Sequence, residues 1–132
     1  MREIYPPITL TETDFNYLGN VLAIRSGALN EVFSFLEHEL DRAIVVSDDR
    51  LPSQTVSIGR TVTYRDLNVG RERTVVLATP EQSDMECNRI SVLSPIGAAL
   101  IGLSDGQVIA WETWANVERM ILVKKVHSHR DC

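Results

Sequence analysis

Two different periodicities divide the chain near Leu51-Pro52. Upstream, apolar residues recur every three or four positions. Phe15, Leu18 and Leu22 form one stripe, and Leu29, Phe33, Leu36, Leu40 and Ala43 form a second with heptad spacing. This pattern predicts two amphipathic helices. Ahead of the first, Thr11-Glu12-Thr13-Asp14 has the form of a capping box, with acids placed in the first turn where the helix dipole favours them. Ser26-Gly27 breaks the pattern, so the helices are expected to fold back on each other as an antiparallel hairpin turning at Arg25-Ser26-Gly27-Ala28. A first helix of about 14 residues would extend only ~21 Å. The coiled coil is therefore short.

Downstream the period becomes two. Val56 and Ile58 lead to Gly59, Thr61-Val62-Thr63-Tyr64 alternates toward Asp66, Asn68-Val69-Gly70 reads as a turn, and Arg73 to Ala78 as the returning strand. Thr79 to Asn88 is polar, contains Pro80, and is expected to be a loop. Ile90–Ser94, Gln107–Glu112 and Arg119–Val126 complete about five predicted strands. Between them Ser94 can cap a short helix near 95–102, with Pro95 at its first position and Gly102 as its stop. Asp105-Gly106 then reverses the chain. Strands with one short helix on a face predict an α+β fold. Residues 1–50 are expected to be the helical hairpin and 51–132 an antiparallel sheet domain.

The composition adds limits. The chain has 132 residues, 44% of them apolar, enough for one ordinary domain or a small domain with a helical appendage. No run approaches the ~20 apolar residues that span a bilayer, and Met1 to Pro7 lacks the apolar core of a secretory signal. A cytoplasmic location and no membrane partner are expected. Residues 1–50 hold four arginines against nine acids, whereas 51–132 balance nine basic against nine acidic residues. The whole net charge of −5 thus sits in the N-terminal segment. Such a segment repels phosphate backbones, so sequence-independent nucleic-acid binding by it is not expected, and no direct sequence-specific nucleic-acid binding is expected of the chain.

Candidate chemistry is sparse. Cys87 and Cys132 match no metal motif and read as two reduced thiols. His38 lies between Glu37 and Glu39 as a surface residue, and His127 and His129 read as a solvated tail. Ser94 lacks a nearby histidine and acid that would make it a nucleophile. Gly97, Gly102 and Gly106 lack the lysine of a phosphate loop. No catalytic residue, metal or cofactor is expected, and the chain reads as a non-enzyme. Trp111 is expected in or beside the core, and Trp114 in an exposed turn as a candidate interface anchor.

The order of helical hairpin, Ile58-Gly59-Arg60-Thr61-Val62, the Asn68-Val69-Gly70 turn and Ser94-Pro95-Ile96-Gly97-Ala98-Ala99-Leu100-Ile101-Gly102 resembles the superfamily of Gre transcript-cleavage factors and Rnk-type regulators of nucleoside diphosphate kinase. The resemblance covers roughly residues 11–126. Glu39-Leu40-Asp41-Arg42-Ala43 followed by Leu51-Pro52, with the short hairpin, is more similar to the Rnk branch. It implies an FKBP-like C-terminal domain that docks on RNA polymerase beside the secondary channel. Ser94, Pro95 and Ile96 would then lie at the docking contact, with Arg25, Ser26, Gly27 and Ala28 as the channel-facing tip. In Gre factors a longer coiled coil carries two metal-holding acids at its tip. Here the only nearby acid is Glu31, and Leu93 stands where Gre factors tend to have an acid before the Ser-Pro pair. The chain is therefore expected to be a non-catalytic regulator that binds RNA polymerase and competes with Gre-type factors without stimulating cleavage. The alternatives are a regulator of nucleoside diphosphate kinase levels or another protein-interaction module. A prolyl isomerase is less supported, because residues 51–132 offer only Tyr64, Trp111 and Trp114 as aromatics.

Overall fold

The computed structural model describes residues 5–24, 30–112 and 117–127. In chain order they form β1 (Thr9–Thr11), α1 (Glu12–Ile24), α2 (Glu31–Arg42), β2 (Ile44–Val46), β3 (Thr61–Asp66), β4 (Arg71–Ala78), β5 (Arg89–Ser91), α3 (Pro95–Leu100), β6 (Val108–Glu112) and β7 (Glu118–His127). The fold is mixed α+β, as the two periodicities predict.

The capping box at Thr11 is half used. Thr11 Oγ1 accepts a hydrogen bond from the Asp14 amide at 3.0 Å. The Asp14 carboxylate accepts instead from the Ile58 amide at 3.1 Å, which ties the start of α1 to the segment leading into β3. Asp48 accepts from both the amide and the hydroxyl of Thr13. Asn30 caps α2, its Oδ1 accepting from the Val32 and Phe33 amides. Leu18, Leu22, Phe33 and Leu36 are buried along the predicted stripes. The predicted turn, Arg25 to Ala28, lies outside the described residues, as do Leu29, Trp114, His129 and Cys132.

The period reading missed β1 and β2. They pair in parallel, Thr9 with Ile44 and Thr11 with Val46, at the base of the two helices. A hairpin continued straight at both ends would bring its flanks together antiparallel. The observed pairing therefore requires the chain to change direction at a helix–strand junction. β1 is also held by the Thr9 amide, which donates to the Gly102 carbonyl at 3.1 Å. Gly102 has φ +84, and a Cβ there would meet the Ile8 Cβ at 2.8 Å, so only glycine fits.

The large sheet has the order β5-β4-β3-β7-β6. Four strands are antiparallel neighbours, with Val62 opposite Val75, Tyr64 opposite Arg73 and Trp111 opposite Arg119. The fifth corrects the expected antiparallel sheet: β5 joins β4 in parallel. The chain between them crosses over through 3₁₀ turns at Pro80–Gln82 and Met85–Cys87 rather than a hairpin. The strand expected over 90–94 stops at Ser91, whose hydroxyl accepts from the Leu93 amide at 3.0 Å and turns the chain. Cys87 is disulfide-bonded, not the reduced thiol expected.

One face of the sheet contributes Val62, Val75, Leu77, Ile121 and Val123 to a buried cluster with Ala98, Ala99 and Leu100 of α3. The same cluster continues into Leu18, Leu22, Phe33 and Leu36 of the helices. Phe35 of α2 lies 5.9 Å from the Trp111 ring of β6, ring centre to ring centre. Where α2 ends, Glu39 is buried and forms an ion pair with Arg42. Arg42 Nη1 donates to the Pro6 carbonyl at 2.5 Å, and its guanidinium lies 5.7 Å from the Tyr5 ring centre. Burial pushes the Glu39 carboxyl above the usual carboxylate range, and Arg42 opposes that shift.

Candidate docking face

The Ser91–Gly97 corner is built from short local bonds. The Val92 amide donates to the Ala78 carbonyl at 2.8 Å, which anchors the corner to β4. The Ser94 hydroxyl donates to the Ser91 carbonyl at 2.6 Å and accepts from the Gly97 amide at 3.1 Å. Ser94 is thus the helix cap the sequence predicts. Gly97 presses on the corner so closely that a Cβ would lie 2.1 Å from the Ser91 oxygen. With the backbone held on both sides, Pro95 is exposed and Ile96 half-buried. The predicted site residues Ser94, Pro95 and Ile96 therefore share one rigid, solvent-facing corner. The other predicted group, Arg25 to Ala28, lies outside the described residues.

Beside this corner the inner face of the sheet is left open. Two adjoining hollows of about 410 and 390 Å³ share Tyr64, Arg73, Ile96 and Arg119 as lining. Sequence reasoning missed these arginines, although a signal for them exists. Arg71 and Arg73 stand four and two positions before Val75, so period-two alternation puts them on its face. Arg119 is neutralised by Asp66 at 3.7 Å and lies 6.0 Å from the Trp111 ring centre. Arg71, Arg73 and Arg89 have no ion-pair partner among the described residues. The buried Nε of Arg89 has no hydrogen-bond acceptor.

Trp111 is buried, as expected for a strand residue facing the core. His38 is exposed, with its ring 5.3 Å from that of Tyr5. Among the described residues no group of three or more histidines, cysteines or acids could hold a metal ion. Among the same residues no helix is long and apolar enough to cross a membrane.

Comparison with known proteins gives this architecture its family. Residues 51–128 match the family model described as transcription elongation factor, GreA/GreB, C-terminal. The chain is 32% identical over 107 residues to the regulator of nucleoside diphosphate kinase of Escherichia coli K12, covering 81% of this chain and 79% of that protein. It is also 32% identical over 85 residues to transcription elongation factor GreA of Maridesulfovibrio salexigens, of which it spans 53%. Among solved structures, a GreA/GreB elongation factor from Nitrosomonas europaea superposes with a TM-score of 0.71 at 28% identity, covering 93% of this chain and 99% of that one. The chain belongs to the GreA/GreB superfamily, on the branch of the Rnk-type regulators of nucleoside diphosphate kinase. These relatives are named as regulators and transcription factors, not as enzymes.

Proposed function

We propose that this protein is a non-catalytic transcription regulator that binds RNA polymerase beside its secondary channel. Ser94, Pro95 and Ile96 make the docking contact, and Arg25, Ser26, Gly27 and Ala28 face into the channel. The observation that carries this reading is the Ser91–Gly97 corner: a bonded backbone that offers an exposed proline at the mouth of an open groove, within a GreA/GreB frame. A rigid anchor loses little freedom on binding, which favours it as an interface centre.

The bound protein occupies the channel without promoting RNA cleavage. A magnesium ion needs several oxygen ligands at short range, and the turn between the helices offers no pair of carboxylates. The helix α1, 13 residues long, reaches about 20 Å. Competition with Gre-type factors follows from occupying the same berth. The name of the Escherichia coli relative favours a second reading, control of nucleoside diphosphate kinase levels, exerted here through transcription.

The test is retention by immobilised core RNA polymerase. Wild type is retained, and Pro95→Asp weakens binding by about tenfold or more, as expected for a central anchor. Backtracked elongation complexes keep their RNA length when the protein is added. Equal retention of both forms, or rapid RNA shortening, overturns the reading.

A further inference from the structure

The open arginines carry an inference that rests on the docking reading and specifies its partner surface. We propose that the groove beside Ser94-Pro95 receives an acidic protein segment, whose carboxylates pair with Arg71 and Arg73 while an apolar side chain covers Tyr64 and Ile96.

The first argument is charge. The chain as a whole has 18 acids against 13 lysines and arginines, yet in this groove the balance is reversed. Asp66 answers Arg119, and of the lining acids only Asp84 remains for Arg71, Arg73 and Arg89. Arg73 is exposed, yet it is in phase with the core residues Val75 and Leu77 and opposite Tyr64. The side chains of Arg71 and Arg73 are exposed, and Arg is the side chain best suited to pair with a carboxylate brought from outside.

The second argument is spacing and relief. Arg71 and Arg73 are two residues apart on one strand face, about 6.8 Å. Carboxylates one turn apart on a helix are separated by about 6 Å along its axis. Between the charges the groove is apolar: Tyr64, Ile90, Ile96 and the exposed Met85 line it. A continuous phosphate backbone would meet Asp66 and Asp84 along the same wall, whereas discrete carboxylates with apolar residues between them fit the alternation.

The experiment measures binding of the full-length chain to core RNA polymerase by fluorescence anisotropy across a salt series. Arg73→Glu and the double variant Arg71→Glu/Arg73→Glu are expected to weaken binding by about tenfold or more and to flatten its salt dependence. Arg65→Glu, on the opposite sheet face, stays within about twofold of wild type. Arg73 is exposed and has no ion pair among the described residues, so the single variant keeps the fold, as unchanged thermal melting verifies. If wild type binds and the Arg73 variants bind equally well, this inference is overturned while the docking reading stands. If wild type does not bind polymerase, both fall. A charge-dependent complex with a bare nucleic-acid scaffold, in the absence of polymerase, also overturns the carboxylate assignment.

Discussion

Arg42 and Arg73 occupy opposite situations in one molecule. Arg42 sits at the base of the hairpin, paired with the buried Glu39 and donating to the carbonyls of Tyr5 and Pro6. Arg73 stands over Tyr64 at the open end of the sheet, with no partner of opposite charge among the described residues. The first arginine fastens the N-terminal segment to the end of α2. The second is left free by a fold that could have neutralised it. The difference separates a charge that shapes the protein from one kept available for another molecule.

Removing the answered charge should have the largest effect. Arg42→Ala leaves the Glu39 carboxylate buried and unpaired, and two carbonyls without their donor, so unfolding in urea should show a loss of about 3–5 kcal/mol. Adding Glu39→Gln to that variant should recover part of the loss. A deficit below about 1 kcal/mol would mean that the pair is solvated in solution, and the contrast with Arg73 would disappear.

A smaller effect tests the wall of the open groove. Gly97→Ala sets a methyl group 2.1 Å from the Ser91 oxygen, a backbone atom that cannot swing aside. Stability should fall by about 1–3 kcal/mol despite the better helix propensity of alanine. Amide chemical shifts should move at Ser91 and Ser94 and remain unchanged in α1. Unperturbed shifts at the corner would show that it is softer than its hydrogen bonds imply.

The smallest effect concerns a third charge, intermediate between the two arginines. Asp14 is buried yet hydrogen-bonded to the Ile58 amide, and burial, the larger influence, raises its pKa above the ordinary 3.8. An acid with a raised folded-state pKa binds its proton more tightly folded than unfolded. Its contribution to stability is therefore present below pH 3.8 and is lost as the pH rises through the folded value. Asp14→Asn retains an oxygen acceptor for Ile58 and should flatten this decline above about pH 4. Glu39, also raised by burial, leaves a residual slope of the same sign above its ordinary 4.5. Asp48, lowered by its bonds to Thr13, acts in the opposite sense below 3.8. Identical pH profiles for wild type and Asp14→Asn would show that Asp14 is solvated.

Much of this frame was legible from residue patterns. The stripes at Leu18–Leu22 and Phe33–Leu36, the caps at Thr11 and Ser94, and the positive-φ glycines 102 and 106 all follow from local chemistry, and all are observed. Three features were not legible. β1 and β2 are three residues each, too short for any period to register, and they exist because their partners lie far away in sequence. Glu39 reads as one polar position among several, since the carbonyls that help fix its arginine come from Tyr5 and Pro6. The arginine groove was half visible. Alternation with Val75 puts Arg73 on the inner face, but only the fold shows the open hollow between it and Ile96 of α3.

The parallel pairing of Thr9–Thr11 with Ile44–Val46 fastens the strand before the first helix directly to the strand after the second. Everything between Thr11 and Ile44 is thereby a cassette closed by its own clasp, and neither the sheet register nor the Ser94 corner depends on how far that cassette extends. Whole turns added to both helices beyond Leu22 and Phe33 would change the reach of the finger while keeping the residues that pack against the sheet. A single scaffold can in this way carry probes of different depth.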